Sequence, residues 1–329
     1  MKDTDTNLLK NIHAFIAKHN LIPPHAKIVL GLSGGPDSLF LLHLLAPLHH
    51  AGTITLVAAH LDHGWREASA RDAQFCLKVG SDLGVPVISR KLSDLAFSCK
   101  FNGSQEEIGR KARRYFLETV QQEHGADLIA LAHHADDQQE TFFIRMIRGA
   151  SLAGLSAMQP KQGAYIRPLL DCKKQDLLDY LHGNNITYLI DATNEMPTYL
   201  RNRIRLNVLP ALRNADPRFD TTFATTLNQI QDTQRYLATH TTQVFKEIAD
   251  LTTSPIQINK TQFLALDPFM QKNIIMHWLC VEQASCTPTQ RLFDEIIRFI
   301  QQPSPGIHAL HTTWSLHKNK NVVYIKKNH

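Results

Sequence analysis

Apolar residues along the first 215 positions alternate between two modes, short unbroken runs and longer stretches with helical spacing. Leu8, Leu9, Ile12, Phe15 and Ile16 share one face of an amphipathic helix. The runs "AKIVLGL", "TITLVAAH", "VPVISRKL" and "ADLIALA" predict strands buried on both faces. Between them, "DSLFLLHLLAPL", "EASARDAQFCLKVGSDLG" and "GSQEEIGRKARRYFLETVQQEHG" predict helices. Pro36 sits in the first turn of its helix, where no intrahelical hydrogen bond is lost. Ser104 and Glu107 have capping-box spacing, and Gly84 and Gly125 serve as stops. "DDQQETFFIRMIRG" carries acids in its first turn and arginines in its last, matching the helix dipole. "AYIRPLL" reads as one more short strand.

This alternation predicts an α/β fold, a doubly wound parallel sheet, over residues 1–215. An eight-fold barrel would need more strands than the pattern offers. After "NADPRFD" the pattern changes. Residues 216–302 read as a mainly helical second domain, with helices only from Thr221 onward. "DPFMQKNIIMHWLCVEQ" and "TPTQRLFDEIIRFIQQ" open on Asp-Pro and Thr-Pro starts. Residues 303–329 read as a short β-hairpin tail around "HKNKN".

Composition narrows this only a little. The 329 residues are 43% hydrophobic and 20% charged, an ordinary globular balance. The net charge of +5 is compatible with a polyanionic partner without requiring one. The five cysteines form no C-x-x-C pair, which excludes a zinc knuckle or dithiol redox motif and suits a reducing, cytoplasmic compartment. No apolar run reaches membrane-spanning length, so no membrane partner is expected.

Three polar clusters fall at predicted strand ends, where open parallel sheets bind ligands. The first is Ser33–Ser38, "SGGPDS". Gly34 and Gly35 can turn their amides toward an anion, and the helix start adds partial positive charge. Ser33 and Ser38 add hydroxyls, and Asp37 can reach a phosphate through a magnesium ion. The second cluster holds His60, Asp62, His63 and Arg66, suited to adenosine contacts or to support of the loop. The third holds His133, His134, Asp136 and Asp137. At least one of these aspartates could hold magnesium with Asp37, although both could simply cap the following helix, Asp136 above all. Arg110, Lys111, Arg113 and Arg114 line one helix, and Arg201, Arg203, Arg205 and Arg213 form the densest arginine cluster. Solvated basic faces are the plain alternative, and contact with an RNA backbone is the functional one.

Taken together, "SGGPDS", "HLDHGWR", "GRKARRYF", "HHADDQQETFFIRMIRG", "IRPLL" and "DATNEMPTYLRNRIRLNVLP" resemble the PP-loop ATP pyrophosphatases and, within them, the tRNA(Ile)-lysidine synthase family. The resemblance covers the first two-thirds of the chain and, more weakly, the helical stretch from Thr221. It departs at Ala132 and Trp65, where the family carries glycine and leucine, and in a shorter C-terminal part. It implies ATP and Mg2+, with tRNA(Ile) bearing a CAU anticodon and L-lysine as partners; a homodimer stays open. By matched position it places Ser33, Gly34, Gly35, Pro36, Asp37, Ser38, His60 and Asp62 at the nucleotide, and Asp37 and Asp137 at the metal. Arg113, His133 and Arg205 join them as catalytic candidates, and Arg110, Arg114, Arg145, Arg201, Arg203 and Arg205 as tRNA contacts. The expected reaction is ATP-dependent ligation of lysine to the wobble cytidine. The alternatives are a tRNA 2-thiolating PP-loop enzyme and a non-catalytic RNA-binding protein.

Overall fold

Along the strand β1 (Lys27–Gly31), Ile28 and Leu30 pack into one buried cluster and Val29 into another. Successive side chains of a strand point to opposite faces, so this sheet is covered on both sides, as the apolar run requires. The computed structural model describes residues 3–65, 69–95, 105–190, 199–285 and 289–328. Arg66, Ser104, Cys99, Cys286 and the "DATN" stretch lie outside them. The chain divides into two compact units, Met1–Leu227 and Asn228–His329.

In the first unit α1 (Asp3–Lys18) precedes β1, and α2 (Pro36–His50), β2 (Thr55–Asp62), α3 (Ser69–Asp82) and β3 (Val87–Lys91) follow it. Next come α4 (Gln105–Glu123), β4 (Leu128–Ala130), α5 (Ala135–Ile147), α6 (Leu152–Leu155), β5 (Lys161–Gln162), β6 (Tyr165–Ile166) and α7 (Lys174–Gly183). The unit continues through α8 (Leu200–Arg203), a π-helical turn Ile204–Val208 and α9 (Leu209–Ala215). The strand order is β3-β2-β1-β4-β6-β5. Every pairing is parallel except β5 with β6. The chain winds outward from β1 through β2 to β3, then returns to place β4 on the other side of β1. That reversal opens a crevice beyond the carboxyl ends of β1 and β4. The expected doubly wound sheet is therefore present, and "AYIRPLL" supplies β6 at one side of it.

The boundary between the units falls inside α10 (Phe219–Ile248), not at residue 215. Beyond it lie β7 (Ala249–Asp250), β8 (Gln257–Asn259), α11 (Lys260–Ala265), α12 (Pro268–Val281), α13 (Gln290–Gln301), β9 (Gly306–His311), β10 (Trp314–Lys318) and β11 (Val322–Lys327). Two expectations change here. The segment before Gln302 contains strands as well as helices, because β8 pairs with β11 and buries Ile258 in the second core. The tail is three strands and not two, and it completes one five-stranded antiparallel sheet, β7-β8-β11-β10-β9. Trp278, Phe263, Ile296, Leu316 and Ile325 are buried together in this unit, so helices and sheet share a single core. The Asp267 start holds, since its carboxylate accepts from the Phe269 amide at 2.8 Å. The expected start at Thr287 and Pro288 lies outside the described residues; α13 is capped by Thr289, whose hydroxyl accepts from Leu292 N–H at 3.2 Å.

Candidate active site

The loop between β1 and α2 is held by its own hydroxyls. Ser33 and Ser38 Oγ lie 3.1 Å apart, Ser38 Oγ also accepts from the Ser33 amide at 3.2 Å, and Ser33 Oγ accepts from the Gly35 amide at 3.3 Å. Gly34 adopts φ +81°, in the left-handed region. Its missing side chain is also a packing requirement, since a Cβ would stand 2.6 Å from Leu189 Cδ1 and 3.2 Å from Cys76 Sγ. The Leu189 amide donates to Gly34 O at 2.9 Å, closing the back of the loop. Pro36 opens α2, so the amides of Asp37 and Ser38 lie in a first turn that has no intrahelical acceptors.

The second cluster supports this loop. His60 is buried at the end of β2, and its Nδ1–H donates to Leu32 O at 3.0 Å. Its Nε2 has no hydrogen-bond partner. Burial keeps the imidazole below its ordinary pKa, so it is neutral and offers Nε2 as an acceptor. Asp62 accepts from the Gly64 amide at 2.8 Å and fixes the turn that follows. His63 stacks on Trp65 with centroids 4.6 Å apart, and Trp65 lies against Gly109 of α4, where a Cβ would meet its ring at 2.6 Å. Arg113 points toward His63, Nη2 to Nε2 being 3.4 Å.

The third cluster is the electrostatic centre. His134 is buried, and its imidazole nitrogens lie 3.4 Å from Asp137, 3.6 Å from Asp136 and 3.7 Å from Asp37. Burial opposes its charge, but the three carboxylates outweigh burial and lift it to about 10. Burial likewise pushes Asp37 upward, and His134 and Lys174 more than offset it, holding the carboxyl below its ordinary range. Asp136 and Asp137 are held down in the same way by His134 and nearby arginines. Neighbouring His133 has the opposite fate. Burial lowers it to about 4, leaving a neutral imidazole beside an imidazolium.

The helix-capping expectation for these aspartates is redistributed. Asp137 accepts from the His134 amide at 3.0 Å and caps its own helix, α5. Asp136 reaches across instead, accepting from the Lys174 amide at 2.9 Å and capping α7. Lys174 Nζ in turn pairs with Asp37.

Arginines enclose the carboxylates from the other side. Arg201 donates through Nε to Glu140 at 2.6 Å and through Nη2 to Asp137 at 3.2 Å. Arg205 is bidentate on Glu140, at 2.5 and 3.1 Å. Arg213 bonds Asp136 at 2.7 Å and Asp220 at 3.0 Å. Glu140 itself is 1% exposed. Arg145 donates to the carbonyls of Gly154 and Ala157, at 2.7 and 3.0 Å, and so braces the turn after α5. Arg110, Arg114 and Arg203 are exposed, with Arg114 bound to Glu118 at 2.9 Å and lying over the Tyr165 ring.

Sequence reasoning thus assembled the loop and the aspartates but missed Glu140, Lys174 and Leu189. Glu140 was findable, since it follows Asp136 and Asp137 at helical spacings of four and three. Lys174 and Leu189 carry no local signal, because only the fold brings them to the loop. A shallow cavity of about 590 Å³ lined by Pro23, Pro24, His25, Asp127 and Lys161 lies at the amino ends of β1 and β4, away from this chemistry.

A switch-point crevice, a hydroxyl-braced glycine loop and a helix start define a nucleotide-type α/β site, and the chain belongs to the PP-loop domain family, which it matches over residues 4–212. Its relatives are more particular. It is 32% identical over 280 residues to the tRNA(Ile)-lysidine synthase of Bacillus subtilis, covering 82% of this chain and 59% of that protein. It is 37% identical over 234 residues to the tRNA(Ile)-lysidine synthase of Geobacter sulfurreducens, covering 70% of this chain and 50% of that one. The chain therefore spans little more than half the length of these curated relatives. Among solved structures it is similar to the U34-tRNA thiolase NcsA from Methanococcus maripaludis, with a TM-score of 0.55 and 20% identity over 69% of this chain and 80% of that one. That likeness speaks to the fold alone.

Proposed function

We propose that this protein is an ATP-dependent tRNA(Ile)-lysidine synthase. In the proposed reaction, O2 of the wobble cytidine attacks the α-phosphorus of ATP and pyrophosphate departs. The lysine ε-amine then attacks C2, the C–O bond to AMP breaks, and lysidine forms. The observation that carries the reading is the meeting of the Ser33–Ser38 loop with Asp37, His134 and Asp137 at one switch point, in a chain whose named relatives are lysidine synthases.

The chain's own groups have distinct tasks. Amides and hydroxyls of the loop bind the phosphates, and the start of α2 favours their charge. His60 presents its neutral Nε2 to a donor such as an adenine amine. Asp37 and Asp137 are hard oxygen donors that converge on the same nitrogen, His134 Nε2, a pair that suits magnesium. Among the described residues, no three His, Cys, Asp or Glu side chains are grouped to hold a metal. Magnesium is ordinarily bound by one or two carboxylates, with phosphate and water completing its shell. When bound, it would neutralise charge developing on the phosphates. His133, being neutral, can donate a hydrogen bond to the activated cytidine, and Arg113 approaches from α4. Arg205 is oriented by Glu140. Arg110, Arg114 and Arg203, being exposed, are the simplest tRNA-backbone contacts, whereas Arg145 and Arg201 are less exposed and braced against carbonyls and carboxylates. The setting would be cytoplasmic; among the described residues no helix is long and apolar enough to cross a membrane.

Among the described residues, the two cysteines of the first unit give the thiolation alternative no support. Burial raises the Cys76 and Cys172 thiols to about 12, so neither is a ready thiolate. The deciding experiment supplies ATP, Mg2+, labelled lysine and tRNA bearing a CAU anticodon. Label should enter the isoleucine tRNA and not the methionine tRNA. Folded protein that transfers none would refute the reading.

A further inference from the structure

The glycine loop lacks the lysine that many phosphate-binding loops carry, and the structure places one beside it from elsewhere in the chain. Lys174, the first residue of α7, lies 137 positions beyond Asp37 and sets its ammonium against the Asp37 carboxylate. Asp37 is in the first turn of α2, immediately after the loop. We propose that Lys174 is a phosphate-binding residue of this site: it pairs with Asp37 while the site is free of nucleotide, and transfers its ammonium to an ATP phosphate oxygen when nucleotide binds. This rests on the nucleotide-binding half of the function proposed above.

Three features single out Lys174 among the cations of the cluster. Its base is fixed, because Asp136 accepts from its backbone amide at 2.9 Å. Its head is tied by a single ion pair, whereas Arg205 is bidentate and Arg201 and Arg213 each bridge two acidic side chains. Its side chain is still 31% exposed, on a flexible four-carbon stem. A fixed base with a singly held, mobile head can swing without rebuilding the backbone. The exchange also solves a charge problem. A carboxylate beside a polyphosphate is repulsive, and one already neutralised by an ammonium is closed to a metal. Moving the ammonium to phosphate leaves Asp37 facing only His134 among the described residues, opens its Oδ1 to a cation and adds attraction for the anion in one step.

The test is a double-mutant cycle on the full chain, read by ATP affinity in titration calorimetry with and without Mg2+. Lys174→Met should weaken ATP binding by about 10- to 100-fold, the range expected for a lost charge-assisted hydrogen bond, and Lys174→Arg should recover most of it. In an Asp37→Asn background, Lys174→Met should still weaken ATP binding, since the phosphate contact survives loss of the carboxylate. A lysine that only neutralises Asp37 gives no effect in that background, and this result would overturn the proposal. tRNA affinity and melting temperature, measured on the same variants, should change little. If the folded wild type binds no ATP, both this inference and the lysidine reading fail. If it binds ATP but transfers no lysine, only the lysidine reading fails, and the cycle still decides Lys174.

Discussion

At the scale of single residues, the site is a lattice of opposite charges with few free members. Glu140 holds two guanidinium groups while almost fully buried. Glu140→Gln keeps the shape and removes the charge, leaving Arg201 and Arg205 facing a neutral amide. We expect a loss of about 2–4 kcal/mol in urea denaturation, below the full cost of breaking a buried pair because both arginines reach solvent. His134 sets a pH dependence. Its pKa is raised from 6.5 to about 10, so its contribution to stability is complete below pH 6.5 and disappears as pH climbs through 10. The aspartates around it are lowered from 3.8, so their contribution is present above that pH and lost in acid. Metal-free protein should therefore be most stable between about pH 4 and 6.5. Urea midpoints followed from pH 6 to 10 should fall in the wild type and run flatter in His134→Gln. A wild-type profile without that decline would contradict an imidazolium at this position.

At the scale of elements, the strand-to-helix turn after β1 depends on a backbone shape and on what backs it. Gly34→Ala would place a methyl group at positive φ and against Leu189. We expect it to cost about 1–3 kcal/mol in thermal denaturation and to impair nucleotide binding more than tRNA binding. Equal loss of both would indicate general unfolding. The strands and helices of the first unit were legible because each β-run is apolar throughout and each helix keeps its spacing; "SGGPDS" was legible as a strand-to-helix glycine loop for the same local reason. What stayed hidden is non-local. The π-helical turn after Arg203 leaves no mark in helical periodicity, yet it lies in the segment that sets Arg201 and Arg205 on one carboxylate. The strand β8 is three residues long and acquires its identity by pairing with β11, some sixty positions away.

At the scale of the whole molecule, two cores imply two melting events that can be shifted separately. The second core closes around Lys318, which is 1% exposed and donates to the carbonyls of Phe299 and Gln302 at the end of α13. Its ammonium also lies 4.4 Å from the centre of the Phe299 ring. Lys318→Met should strip those carbonyls of their donor and destabilise the second unit by about 2–3 kcal/mol. Calorimetry should show one transition moving in Lys318→Met and the other in Glu140→Gln. A single transition displaced by either substitution would mean that the units fold as one.

The way the glycine loop is held has a consequence for protein engineering. Its curvature is backed by Leu189, its entry is braced through Leu32 by His60, and its charge is balanced by Lys174. None of these belongs to the hexapeptide. "SGGPDS" is thus not a portable cassette: grafted between a strand and a helix of another scaffold, it would carry its glycines and hydroxyls but neither its wall nor its counter-charge. A transplant that works has to bring three distant segments with it, which makes the smallest transferable unit of this site nearly the whole first domain.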